Sequence, residues 1–166
     1  MTAGVRRLPS LLGWIVVLTL VVAMQFHAQR GMVDGERPPE LRGVLVSGAD
    51  FAGLDTLEKP TVIYFWASWC GICKAMQGTM QGLAREAPLI TVAMQSGDRV
   101  TVKAYMDRQA FVTPTLLDAD GELAQAYGVR GVPALFILDR AGNVRFATTG
   151  YTTALGLRLR LWLAGR

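Results

Sequence analysis

The sequence predicts one α/β domain, a sheet flanked by helices, set behind a separate apolar N-terminal segment. Three observations predict it. Thr61–Trp66 and Leu89–Met94 are continuous β-branched and apolar runs, as in strands buried on both faces of a sheet. Segments with helical spacing alternate with these runs, which is the pattern of an α/β sandwich. No residue from Leu8 to Gln29 carries a formal charge. With 166 residues, 51% of them apolar, the chain has room for one domain with a normal core and a short extra segment.

Leu11 to Met24 is almost wholly apolar, and a spanning helix needs about 20 such residues. Trp14 and Phe26 suit the two interfaces, and Arg6–Arg7 precede the run as in a signal anchor. A cleaved signal peptide is the competing reading, with Val21–Val22–Ala23 as the small-residue site. The apolar run continues past Ala23, however, and Phe26–His27–Ala28 makes a poor second site. A retained anchor is the expectation. Residues 1–10 are then a short cytoplasmic tail, 11–29 a transmembrane signal anchor, 30–42 a linker and 43–166 the folded domain. The polar stretch around Pro38–Pro39 reads as extended linker. Charge alone does not orient the span, because Arg30, Arg37 and Arg42 balance Arg6 and Arg7.

Within the domain, Val44–Val46 is a short strand and 50–59 is loop. After the Thr61–Trp66 strand, Met76, Met80, Leu83 and Ala84 recur at helical spacing, with Gln77, Gln81 and Arg85 outside. Gly78 and Gly82 weaken this helix by about 1 kcal/mol each relative to Ala. The Leu89–Met94 strand leads to a helix over 100–109, a strand at 115–117, a turn at 118–121 and a short helix at 122–127. Ala134–Leu138 and Val144–Thr148 form a hairpin about the turn at 140–143. The tail LGLRLRLWL fits both periods; a helix is predicted, its apolar face made of Leu155, Leu159, Trp162 and Leu163.

Composition excludes several functions. Two cysteines and one histidine cannot make a four-ligand zinc site or a disulfide scaffold, so no metal is expected. The net charge of +4 is spread along the chain without aromatic interleaving, which argues against nucleic acid. What remains is Cys70–Gly71–Ile72–Cys73, two cysteines three apart where a buried strand meets a helix. Free N–H groups and the macrodipole at that helix start stabilise a thiolate at Cys70. The thiolate is the attacking species in disulfide exchange, and Cys73, one turn in, is placed to resolve the mixed disulfide. An inert bridge would close too small a loop to stabilise the chain much. Cu(I) binding by Cys70, Cys73 and Met76 is the alternative chemistry. No Met–x–Met or His–x–x–Met cluster lies beside the cysteines to favour it.

The block Tyr64–Phe65–Trp66–Ala67–Ser68–Trp69–Cys70–Gly71–Ile72–Cys73–Lys74 resembles the active-site block of thioredoxins, and Tyr127–Pro133 (YGVRGVP) resembles their second signature. Asp118–Tyr127 is similar to the insert of the anchored periplasmic branch, of the TlpA and DsbE type. The ending from Thr149 is most similar to the suppressor-for-copper-sensitivity group of that branch. The resemblance implies a thioredoxin-like fold with a central mixed β-sheet flanked by helices, and a cis bond at Pro133. It implies a redox-active disulfide of catalytic Cys70 and Cys73, with Trp69, Gly71, Ile72, Val132 and Pro133 meeting the substrate and Trp66 flanking the cysteines. No cofactor is implied. The implied partners are protein thiols or disulfides and a membrane electron-transfer protein. The implied setting is the bacterial inner membrane, crossed once, with the catalytic domain in the periplasm. One position departs: the family's buried Asp, six residues before the first cysteine, is Tyr64 here. A hydroxyl with an ordinary pKa of about 10 is a poor base near neutral pH.

Overall fold

The computed structural model of the chain describes residues 8–166 and divides into a unit ending at Arg30 and a second unit, Gly31–Arg166. The first is α1, Leu8–Gln29, a helix of 22 residues whose described side chains from Leu12 to Met24 are all exposed. Among the described residues no helix is long and apolar enough to cross a membrane. The side chain of Leu11, most of those at 25–29, and the tail at 1–7 lie outside the described residues. An exposed apolar helix is therefore established, and the predicted transmembrane span is not.

The second unit opens with β1 (Gly43–Val44) and β2 (Asp50–Phe51), a small antiparallel pair where one strand and a loop were predicted. The strands and helices then alternate as expected: β3 (Thr61–Trp66), α2 (Gly71–Leu83), β4 (Leu89–Met94), α3 (Arg99–Arg108), β5 (Thr115–Asp118), α4 (Glu122–Ala126), β6 (Ala134–Leu138), β7 (Val144–Thr149) and α5 (Ala154–Ala164). The sheet order is β5-β4-β3-β6-β7. β3, β4 and β5 run parallel, whereas β6 is antiparallel to β3 and to β7, so the sheet is mixed.

β3 is central, and its alternation divides the core. Val62, Tyr64 and Trp66 face one side with Met76 and Met80 of α2, Val102 and Met106 of α3, and Leu157 and Leu161 of α5. Ile63 and Phe65 face the other with Leu41, Ala124, Tyr127 and Phe136. Two helix faces differ from expectation. Gln77 is buried because its amide donates to the Tyr105 hydroxyl at 3.1 Å, which satisfies a polar group inside the core. α5 is the predicted helix turned over: it buries Leu157, Leu161 and Ala164 and exposes Leu155, Leu159, Trp162 and Leu163.

The predicted linker over 30–42 is corrected too, because from Gly31 onward it is a strap packed on the domain. Met32, Pro38 and Leu41 are buried, and Leu41 is wholly so. The Val33 N–H donates to the Tyr127 carbonyl, and Gly35 and Val144 bond across at 2.9 Å. The Tyr127 hydroxyl donates to the Pro39 carbonyl at 2.6 Å. Apolar side chains spaced through a polar stretch hid this packing from periodicity. A chain beginning at Gly43 is expected to be about 3–5 kcal/mol less stable than one beginning at Gly31. Urea midpoints compare them directly, and equal midpoints would restore the free linker.

Candidate active site

Pairing of β3 with β6 in opposite directions brings the two signature segments together. Phe65 lies opposite Ala134, so the turn after Trp66 and the turn before Ala134 meet at one end of the sheet. The first carries Cys70 and the second Pro133. Cys70 is the N-cap of α2, in extended conformation, and its sulfur accepts the Cys73 N–H at 3.0 Å. Cys70 and Cys73 are joined in a disulfide with their Cα atoms 5.2 Å apart. Cys70 keeps 7% of its surface exposed and Cys73 only 1%, so the outer sulfur is the one a partner reaches. The Val132 carbonyl oxygen lies 3.5 Å from the Cys70 sulfur, across 62 residues of sequence. The Val132–Pro133 peptide bond is cis. Pro133 is buried, and its carbonyl accepts the Gly150 N–H and the Thr149 hydroxyl.

All seven predicted site residues therefore cluster or adjoin. Trp69, Gly71 and Ile72 are exposed around Cys70, and Val132 is half-buried across from it. Trp66 does not join them. It is buried between Tyr105, stacked at 5.5 Å, and Phe111, edge-on at 5.4 Å, with its indole N–H on the Thr91 hydroxyl. Its place is in the core, because a residue on the strand alternates inward whereas Trp69 stands beyond the strand end.

Two positioning residues escaped the sequence. The Ser96 hydroxyl accepts the Ser68 N–H at 2.9 Å and donates to the Met94 carbonyl, which ties the turn before Cys70 to the end of β4. The Gln95 carbonyl accepts the Trp69 indole N–H at 3.0 Å, from a backbone with φ of 45°. The one available signal was a polar turn, Gln95–Gly97, at the sheet end where the cysteines lie.

Among the described residues, the two acids considered for the role of the family's buried Asp, Glu86 and Asp98, are both bonded elsewhere. Tyr64 occupies that position, wholly buried, its hydroxyl without a hydrogen-bond partner. Burial, reinforced by Tyr105, pushes its pKa well above the ordinary tyrosine value, so it holds its proton throughout the working range. Glu86 forks onto Arg158 at 2.6 and 2.8 Å, and that pairing lowers its pKa. Asp98 caps α3 through the Thr101 N–H at 2.8 Å, which lowers its own. Among the described residues no three His, Cys, Asp or Glu side chains are grouped to hold a metal. Met76, considered for copper, is wholly buried in the core.

What the arrangement can do is disulfide exchange: an outer sulfur on a helix N-terminus, a more deeply buried sulfur one turn behind, and an apolar rim. The comparisons agree. The model of the AhpC/TSA family matches residues 35–147. A thioredoxin-like protein of Haemophilus influenzae is 34% identical over 114 residues, 67% of this chain and 68% of that protein. The thiol:disulfide interchange protein DsbE of Yersinia pestis is 29% identical over 154 residues, 82% of this chain and 80% of its own length. Among solved structures, a thio-disulfide isomerase of Thermus thermophilus superposes with a TM-score of 0.67 at 31% identity, covering 80% of this chain and 96% of that one.

Proposed function

The chain belongs to the AhpC/TSA family, with a thioredoxin-like fold and thiol-disulfide oxidoreductases among its relatives, and from that premise we propose that it exchanges protein thiols and disulfides through Cys70 and Cys73 at the outer face of a bacterial inner membrane. The observation that carries the chemistry is the Cys73 N–H on the Cys70 sulfur at the head of α2. A donor aimed at sulfur favours thiolate over thiol, and the thiolate is the nucleophile.

In the reducing direction the Cys70 thiolate attacks one sulfur of a substrate disulfide and expels the other as a thiolate. Cys73, deprotonated, then attacks the Cys70 sulfur. The second substrate thiolate leaves, and the Cys70–Cys73 disulfide takes the two oxidising equivalents that the substrate lost. Oxidation of a substrate dithiol runs the same steps in reverse. Trp69 and Ile72 offer the apolar rim against which a substrate protein docks, Gly71 keeps that rim open, and Val132–Pro133 forms its opposite wall. No buried acid assists, so solvent takes the proton of Cys73.

Two considerations support this location, the chemistry and the apolar character of α1. Soluble dithiol systems hold cytoplasmic thiols reduced, so a tethered copy adds little there. Outside the cytoplasm electrons must arrive through the membrane, and a tether raises the effective concentration of the domain near its electron-transfer partner. The uncharged run from Leu8 to Gln29 supplies the tether. Within this branch, Thr149–Tyr151 and Leu157–Trp162 favour the suppressor-for-copper-sensitivity group.

Cys73→Ser is expected to trap mixed disulfides with protein substrates, because the Cys70 adduct then lacks an internal thiol to release it. Cys70→Ser should trap none, and equal yields from the two variants would sink these roles. Orientation has its own test. A membrane-impermeant thiol reagent should label reduced Cys70 in intact spheroplasts. Labelling that needs a broken inner membrane would remove the periplasmic setting.

A further inference from the structure

We propose that the outer face of α5 is a docking surface for an anionic phospholipid bilayer, a contact separate from α1 and not dependent on α1 crossing the membrane. Leu155, Leu159, Trp162 and Leu163 are 79%, 55%, 53% and 42% exposed. At about 100° per residue they fill an arc roughly 100° wide, directly opposite the Leu157–Leu161–Ala164 face that packs on the domain. A helix ordinarily turns polar side chains to solvent on the face away from its core. Here that face is aliphatic with one tryptophan.

Charge says what covers it. From Thr153 to the end the chain carries Arg158, Arg160 and Arg166 and no acidic residue. Arg158 and Arg160 flank the apolar arc on its two sides, and the Arg166 guanidinium lies 3.7 Å over the Trp162 ring. The groove at the end of α5, where Trp162, Arg166 and Arg158 meet Lys59 and Arg140, is also basic. Its two acids, Glu58 and Glu86, do not reverse this: Glu86 and Arg158 neutralise each other, and Lys59, Arg140 and Arg166 together outnumber Glu58. An apolar arc bordered by guanidinium groups is what an interfacial helix presents: leucine and tryptophan enter the acyl boundary while arginine stems snorkel to phosphate. A zwitterionic or purely apolar partner would leave the Arg160 and Arg166 charges unmatched, Arg158 being already paired with Glu86. The consecutive exposed apolar side chains of α1 give the chain a second surface suited to lipid.

Geometry links this contact to the proposed chemistry. α5 starts beside the β7 end that pairs with Ala134, next to Pro133, and finishes against Pro60 at the far end of the sheet. A domain lying on α5 would therefore have the Cys70 rim at one end of that contact.

The test uses the full chain in vesicles of phosphatidylcholine alone or mixed with phosphatidylglycerol, with acyl chains brominated or not. The Trp162 emission is the difference between the parent and Trp162→Phe. In the anionic vesicles bromination is expected to quench about half or more of that emission, at least about twofold more than in phosphatidylcholine. Leu155→Glu with Leu159→Glu, both on the exposed face, should abolish the quenching and leave disulfide exchange with a soluble substrate unchanged. Trp162 emission that ignores bromination in both lipids overturns the proposal. So does sedimentation showing a dimer in which Trp162 is shielded from acrylamide, which would assign the face to a second copy. The difference between the parent and Trp14→Phe reads α1 alone, so failure of the anchor and failure of this contact are told apart.

Discussion

Cys70→Ser is expected to abolish disulfide exchange, with turnover of a protein disulfide falling on the order of 10⁴-fold or more, the scale seen when a covalent nucleophile is removed. Serine keeps the shape and the α2 N-cap, because its oxygen can accept the Cys73 N–H as the sulfur does. Stability should therefore change little while chemistry disappears. The remaining Cys73 cannot substitute, being 1% exposed and set behind the first turn of the helix. Alkylation of the reduced parent should follow the same order, Cys70 before Cys73. An insulin-reduction or thiol-oxidation assay beside a thermal melt separates the two effects. Residual exchange within tenfold of the parent would show that Cys73 attacks directly, and the roles would reverse.

How much of this was legible beforehand depends on how local each signal was. β3 and β4 were readable because burial on both faces leaves no polar alternation, and α2 because its methionines recur on one face. The cysteine pair was readable from spacing and from its place at a strand–helix junction. Val132 and Pro133 entered only through resemblance, since nothing local says that residue 132 lies 3.5 Å from residue 70. Ser96 and Gln95 had no signal beyond a polar turn. α5 was read as a helix with the wrong face inward, because both of its faces are apolar and periodicity cannot choose between them. The strap failed for the opposite reason. Its buried residues, Met32, Pro38 and Leu41, follow neither period, and the backbone around them bonds to Tyr127 and Val144, about a hundred residues away.

The strap also sets the largest expected loss of stability. Gly128→Ala is expected to destabilise the second unit by about 3–5 kcal/mol. Gly128 sits just past α4 with φ of 68°, a conformation costly for any residue with a Cβ. That Cβ would also stand 1.8 Å from the Gly31 carbonyl oxygen and 2.9 Å from the Met32 Cα. Both obstacles are backbone, so no side chain can swing aside. The strap itself must lift, which breaks the Val33–Tyr127 hydrogen bond and uncovers Met32. Gly78→Ala is the contrast. It lies within α2 with open space around its Cβ position and should stabilise by about 0.5–1 kcal/mol. Urea denaturation of the two variants therefore moves the midpoint in opposite directions. The Gly128 variant should also weaken exchange, because residues 128–131 run straight from the strap contact to Val132–Pro133. If Gly128→Ala unfolds within 1 kcal/mol of the parent, the strap is not part of the folded unit, and the domain begins at Gly43 after all.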